Sequence, residues 1–346
     1  MVEMKVCYLH LGLHKTASSS FQQTCAANRG VLADAGWSYP IFRCDEARPP
    51  RLNINNHSVP LRSLYDDEPE NYHINKRWKV TCVERANYNY RAQLEQALST
   101  DQSLILSGEG LSLLSAASVR NLVALIEQNQ FLVRPLAMVP SPLDYAHSIA
   151  QQLVRGGQYL PLVGLGSLRR PRLSQRLTIP DGLKEIQMLQ EVFADRLTLV
   201  PFRQACRHPD GPVGYLLQDF CAFQQLSLIA FKQTQESKSN LWVRLQNQLN
   251  RKWPLFDKTK RLNPGHVRLA SQYSDSGAFR LTKQELDLLS DQLNQSNQVL
   301  ADWLGDDFVE SSPNVSAELR QEEILDLLTD LLLTQAPVQP SARKRA

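Results

Sequence analysis

Residues Lys5–Ser20 read Lys-Val-Cys-Tyr-Leu-His-Leu-Gly-Leu-His-Lys-Thr-Ala-Ser-Ser-Ser. The first seven form a short apolar run of β-prone residues ending at Gly12, which predicts a buried strand. From Ser18 onward Phe21, Cys25, Asn28, Val31 and Leu32 recur at steps of three and four, and Gly36 follows as a stop. That spacing predicts a helix. Strand, short loop and helix open a βα unit. The loop places Lys15 and a run of hydroxyls at a helix N-terminus. Free backbone N–H groups and the helix dipole favour an anion there, such as a phosphate or a sulfate. The plain structural alternative is a βα turn with a serine-rich cap.

Further along, Ser103–Ser107 is a second strand candidate, closing on Gly108-Glu109-Gly110. A helix is expected over Ala116–Gln128, with Val119, Leu122, Val123 and Ile126 on one face. Phe131–Val139 is a third strand. Ser141 and Pro142 then read as N-cap and first residue of a helix running to Arg155. A helix near Asp181–Ala194 leads to a strand at Leu197–Pro201 and a helix over Val213–Phe223. Trp37 to about Asn89 and residues 158–180 show little periodicity and read as irregular, with Tyr90–Leu98 as a short helix. The last third reads as helical: Thr282 and Glu285 make a capping-box pattern, and an amphipathic helix is expected over Ala317–Leu333. Strands alternating with helices predict an α/β fold with a central parallel sheet, helices on both faces and a helical C-terminal part. Residues 1–334 form one domain on this reading, with 335–346 as a disordered polar tail.

The chain has 346 residues, 42% of them hydrophobic, which excludes a wholly disordered protein. Its 38 basic and 35 acidic residues leave a net charge of +3, too balanced for the basic stripe of a nucleic-acid binder. The six cysteines include no CxxC, and no Cys/His group has metal-ligand spacing, so reduced thiols and no metal are expected. No apolar run reaches the roughly 18 residues of a membrane span, and Met1–Leu11 lacks the layout of a signal peptide. The expectation is a cytoplasmic protein.

The loop is not a Walker A sequence, because His14 stands where a glycine must precede the lysine; nor is it GxGxxG. This weighs against a P-loop kinase or other NTPase. The longer string LHLGLHKTASSSFQ resembles the 5′-phosphosulfate loop of the sulfotransferase superfamily, particularly its bacterial members. LILSGEGL (residues 104–111), Phe131–Gln152, Leu197–Phe220 and Ser296–Trp303 resemble later segments of that family, so the likeness extends to about residue 304. It implies a P-loop NTPase-like three-layer fold and the donor 3′-phosphoadenosine 5′-phosphosulfate (PAPS), with no metal. In that family's pattern Lys15 contacts the bridging oxygen and the leaving phosphate. His14 stands beside it, Thr16, Ala17, Ser18, Ser19 and Ser20 cradle the phosphosulfate, and Ser148 matches a 3′-phosphate serine. Ala17 stands where the family has glycine. Pro140 stands where it has the 3′-phosphate arginine, and proline has no N–H to donate. Arg134 and Arg155 are the candidates to replace it.

Sulfuryl transfer needs a group to take the acceptor's proton. Glu109, at the carboxyl end of a strand, is the first candidate. His57, in Asn55-Asn56-His57-Ser58, is the second, since an imidazole's ordinary pKa suits a general base. His10 reads as a strand residue. Arg169, Arg170, Arg172 and Arg176 form a basic cluster able to gather an anionic acceptor, and Trp37, Tyr39 and Phe42 are candidates to stack a sugar or an adenine. The expected activity is transfer of a sulfuryl group from PAPS to a hydroxyl or amine of a carbohydrate, lipid or small metabolite. The alternative, motivated by Pro140, is a non-catalytic nucleotide-binding or scaffold protein with the same fold.

Overall fold

The computed structural model describes residues 5–173, 179–233, 238–257, 259, 261–269, 277–305, 315–322, 324–326 and 328–329. Its strands are β1 (Lys5–His10), β2 (Trp37–Ser38), β3 (Phe42–Cys44), β4 (Arg51–Ile54), β5 (Ser103–Ser107), β6 (Phe131–Val139) and β7 (Thr198–Pro201). Five make one parallel sheet in the order β2-β5-β1-β6-β7, and β3 pairs with β4 as a small antiparallel ribbon. The helices on the way to β7 are α1 (Ser18–Ala27), α2 (Arg29–Asp34), α3 (Ser58–Tyr65), α4 (His73–Arg77), α5 (Val83–Leu98), α6 (Ala116–Gln128), α7 (Pro142–Arg155) and α8 (Leu183–Phe193).

The apolar runs that predicted strands are buried on both sides, as a parallel sheet requires. In β1, Cys7 and Leu9 face one core with Leu104 and Leu106 of β5 and Leu94, Leu122 and Ile126 of the covering helices. Tyr8 points the other way, into a second core with Phe21 and Cys25 of α1 and Ile105 of β5. Helices therefore cover both faces of the sheet. A third cluster joins α7 to Trp242 and Val243 of the helix Asn240–Lys252 and to Leu281, Leu286 and Leu289. This helical part is tied down from inside. Arg244 and Glu285, both almost fully buried, are paired through Nη2–Oε2 at 2.9 Å, and Arg244 Nη1 also donates to the Gly164 carbonyl. The Thr282–Glu285 capping box forms as its spacing predicts.

The chain leaves β1 towards β5 on one side and reaches β6 on the other. The crevice at the carboxyl end of β1 is thus the switch point of the sheet, where ligands of open α/β sheets bind.

Several expectations are corrected. The stretch from Trp37 to Asn89 holds the β3–β4 ribbon, α3 and α4, and the expected short helix at Tyr90 begins at Val83. The buried face of α5 is Val83, Ala86, Tyr90, Leu94 and Leu98, a regular three- and four-residue spacing hidden among Glu, Arg and Asn. Val213–Phe223 is not one helix: Gly211–Tyr215 passes into a π-helical turn, Leu216–Phe220, where the Cys221 N–H bonds to the Leu216 carbonyl. The Ala317–Leu333 helix lies only partly within the described residues, and the 335–346 tail lies outside them. No helix among the described residues is long and apolar enough to cross a membrane.

Candidate functional site

The loop after β1 is bound to β6 before it turns. The Leu13 N–H donates to the Met138 carbonyl at 2.9 Å, and the Gly12 carbonyl accepts from the Met138 N–H at 2.6 Å. Lys15 and Ala17 then both take positive φ, 70° and 62°, and Ala17 is the N-cap of α1. Two left-handed residues around Thr16 turn the chain sharply enough for α1 to start beneath the crevice. Thr16 is fully buried, and its hydroxyl donates back to the Leu13 carbonyl at 2.6 Å. Its side chain is thus engaged in shaping the loop.

The N-cap, Ala17, makes no side-chain capping bond to α1. Ser18 is only 5% exposed, and its Oγ has no hydrogen-bond partner among the described residues. Ser19 and Ser20 lie on the same first turn. Lys15 has no carboxylate partner within 4.0 Å among the described residues. Burial, and then the Arg155 guanidinium, hold the Lys15 amine below its ordinary pKa. A cation, an uncapped ten-residue helix and a buried hydroxyl without a hydrogen-bond partner among the described residues follow one another within residues 15–18. An oxyanion bound there would satisfy all three.

Glu109 closes the other side of the crevice. Gln22 Nε2 donates to its Oε2 at 2.8 Å, Asn56 Nδ2 to its Oε1 at 3.3 Å and the Ser58 hydroxyl to Oε2 at 3.4 Å. The frame behind this carboxylate is also bonded: the Gly110 N–H donates to Ser58 Oγ, and the Ser58 N–H to Asn56 Oδ1. Every side-chain donor to Glu109 among the described residues is neutral, so among them the carboxylate is oriented without an ion pair. His14 precedes Lys15 in the loop. Burial holds its pKa down, Glu109 pushes it up, and Arg62 and Lys15 push it down.

His57 sits beside this constellation but faces away from the chemistry. It is fully buried, stacked on Tyr39 at 4.4 Å between ring centroids. The Ser107 N–H donates to its Nδ1 at 3.1 Å, which forces the other tautomer: Nε2 carries the hydrogen and donates to the Pro40 carbonyl at 3.0 Å. Burial pushes its pKa down to about 3. Both nitrogens are engaged in joining the 40–57 segment to β5, so neither is available to a substrate. His10 behaves as a strand residue, with Nδ1 against Ser107 Oγ at 2.9 Å and a pKa held near 4 by burial.

Of the two arginines considered for the place of Pro140, Arg134 projects from the first half of β6, opposite Tyr8. Five residues of strand, about 16 Å, separate it from the carboxyl end. Arg155 is the one whose charge reaches Lys15. It lies seven residues after Ser148, so both share one face of α7. The aromatic residues considered for stacking are used by the frame: Trp37 Nε1 donates to the Cys221 carbonyl, the Tyr39 hydroxyl to the Asn55 carbonyl, and Phe42 is fully buried in the core. Arg169 stacks over Tyr159 at 5.6 Å, and Arg176 lies outside the described residues. All six cysteines are free, and no group of three or more potential metal ligands occurs among the described residues.

Gln22, Asn56, Ser58 and Arg62 are site residues that the motif reading passed over. Gln22 carried one usable signal, its place four residues after Ser18 on the same helix face. No protein-family model matches the chain, and neither a curated protein nor a solved structure gives a significant match.

Proposed function

We propose that the protein is a sulfotransferase of P-loop NTPase-like fold that uses PAPS and delivers a sulfuryl group to a hydroxyl or amine. The observation that carries this reading is the succession of Lys15, the uncapped start of α1 and the unpartnered Ser18 hydroxyl in the loop that follows β1 at the switch point of the sheet. Those groups fit the phosphosulfate of the donor. When bound, the donor supplies the sulfuryl group: the acceptor heteroatom bonds to sulfur as the bond from sulfur to the phosphate oxygen breaks. Lys15 neutralises the charge that gathers on the leaving phosphate, in a site where partial burial strengthens the interaction. Ser18 and the N–H groups of the first turn of α1 hold the anion in place. Glu109, oriented by Gln22, Asn56 and Ser58, takes the proton of the acceptor. His57 has no part in this scheme.

The test is calorimetric binding of adenosine 3′,5′-bisphosphate, the desulfated product, to wild type and to Lys15→Ala and Ser18→Ala. Saturable binding that weakens at least tenfold in Lys15→Ala is the expected result. No binding at millimolar ligand would overturn the reading. Pro140 is the specific observation behind a second reading, a non-catalytic nucleotide-binding or scaffold protein of the same fold: it is buried and has no N–H where a guanidinium would bind the 3′-phosphate. Bisphosphate binding without PAPS-dependent turnover on any acceptor would favour that second reading.

A further inference from the structure

The carboxyl end of α7 gathers positive charge from three distant parts of the chain. Arg155 ends the helix. Arg77, from α4, donates through Nη2 to the Gly156 carbonyl at 3.1 Å. The segment carrying Arg268 is held over the same end: the Leu255 N–H donates to the Gly157 carbonyl at 3.0 Å, and the His266 ring lies 3.3 Å from where a Gly157 β-carbon would be. Burial, and then the charge of Arg268, hold the pKa of both Arg155 and Arg77 below its ordinary value. Burial, and then Arg155, hold down that of Lys15.

Nothing among the described residues neutralises the group. Among the described residues no carboxylate lies within 4.0 Å of Arg77, Arg155 or Arg268. A helix C-terminus offsets only about half a charge. Arg77 uses that offset by donating to a terminal carbonyl. Arg155 does not: its Nε is buried and has no hydrogen-bond partner among the described residues. A buried, unpaired guanidinium nitrogen is costly unless something accepts from it.

We propose that Arg77, Arg155 and Arg268 form an anion subsite for the acceptor, which therefore carries its own phosphate, sulfate or carboxylate. This rests on the reading of the 12–20 loop as the donor site. The subsite lies at the opposite end of α7 from Pro142. The 14 residues of that helix place Arg155 about 20 Å from Pro142 and about 10 Å from Ser148. An anion held here would anchor one end of the acceptor while its hydroxyl or amine lies against Glu109. Guanidinium forks suit a planar or tetrahedral oxyanion.

The test uses inorganic phosphate as the probe, titrated by calorimetry into protein saturated with adenosine 3′,5′-bisphosphate, for wild type, Arg155→Gln, Arg268→Gln and Arg77→Gln. Phosphate should bind the saturated wild type, with affinity falling at least tenfold in Arg155→Gln and Arg268→Gln. Bisphosphate affinity should change less than twofold in Arg268→Gln and Arg77→Gln. Both arginines of that last pair are exposed, so their variants fold, and unchanged melting temperatures verify it. The proposal is overturned if saturating bisphosphate abolishes phosphate binding, or if Arg268→Gln weakens the bisphosphate as much as phosphate, since the arginines would then serve the donor. It is also overturned if phosphate binding is insensitive to all three substitutions. If the bisphosphate does not bind at all, the donor reading fails. The anion subsite is then upheld by an arginine-dependent phosphate isotherm and overturned by its absence.

Discussion

Gly12 and Glu109 pack backbone to backbone: a β-carbon on Gly12 would lie 2.9 Å from the Glu109 α-carbon. The end of β1 and the end of β5 are thereby brought close enough for the loop cation and the carboxylate to share one crevice. Gly12 also has φ of 92°, a conformation that L side chains rarely adopt. Gly12→Ala meets two costs, about 1–2 kcal/mol for the left-handed backbone and about 1–3 kcal/mol for overpacking against a main chain that cannot swing aside. We expect a loss of at least about 2 kcal/mol, read as a lowered urea midpoint at unchanged slope. A stability within about 0.5 kcal/mol of wild type would show that the two strand ends can separate freely.

The carboxylate itself is tested by Glu109→Gln. The substitution keeps the shape and one carbonyl oxygen able to accept from Gln22 or Asn56. Folding should be unaffected, with the melting temperature moving by no more than a few degrees. The rate of PAPS-dependent transfer should fall about 10²–10⁴-fold, the range of a lost general base, with little change in bisphosphate affinity. Retention of a tenth or more of the activity would assign the proton to another group, and His14 would be the next to substitute.

His57 leads to a prediction about acid stability. Its folded pKa is depressed to about 3 and that of His10 to about 4, against an ordinary 6.5 for each. Between these values and 6.5 the unfolded chain binds a proton at each histidine and the folded chain does not. Stability is therefore undiminished above pH 6.5 and falls as the pH drops through that window. Each histidine contributes about 1.4 kcal/mol per pH unit there. In His57→Gln the slope of unfolding free energy between pH 6 and 4.5 should be shallower by about that amount, although the variant is less stable at pH 7 for the loss of its two backbone bonds. An unchanged slope would mean that His57 is protonated in the folded state.

The same histidine marks where reading by motif runs out. The loop was legible because its signals are local: an apolar run, a glycine, a lysine and hydroxyls, then a three- and four-residue period, all within residues 5–32. Glu109 was legible because Ser103–Ser107 and its glycine end announce a strand and its carboxyl edge. What orients Glu109 was not legible, because Gln22 lies 87 residues away and Asn56 lies 53 away. Nothing in the order of residues tells an accessible imidazole from one locked between Ser107 and Pro40. The long helix α5 escaped for a different reason. Its core face is one side chain in every three or four, and the residues between are charged or amide-bearing.

Ala17 offers the last test, because two effects oppose each other there. With φ of 62° and ψ of 12° it is in the left-handed region, which costs a residue with a β-carbon about 1–2 kcal/mol. Ala17→Gly removes that cost but adds backbone freedom to the unfolded chain, worth about 0.5–1 kcal/mol in the opposite sense. Relief of the strain outweighs the added freedom, so the variant should be more stable by about 0.5 kcal/mol. The Ala17 methyl stands at the entrance to the first turn of α1, where the family likened to this chain has glycine. Bisphosphate affinity should therefore hold or rise in the same variant. A destabilised Ala17→Gly would mean that residue 17 does not take the left-handed conformation in solution, and the uncapped, anion-ready start of α1 would lose its geometric basis.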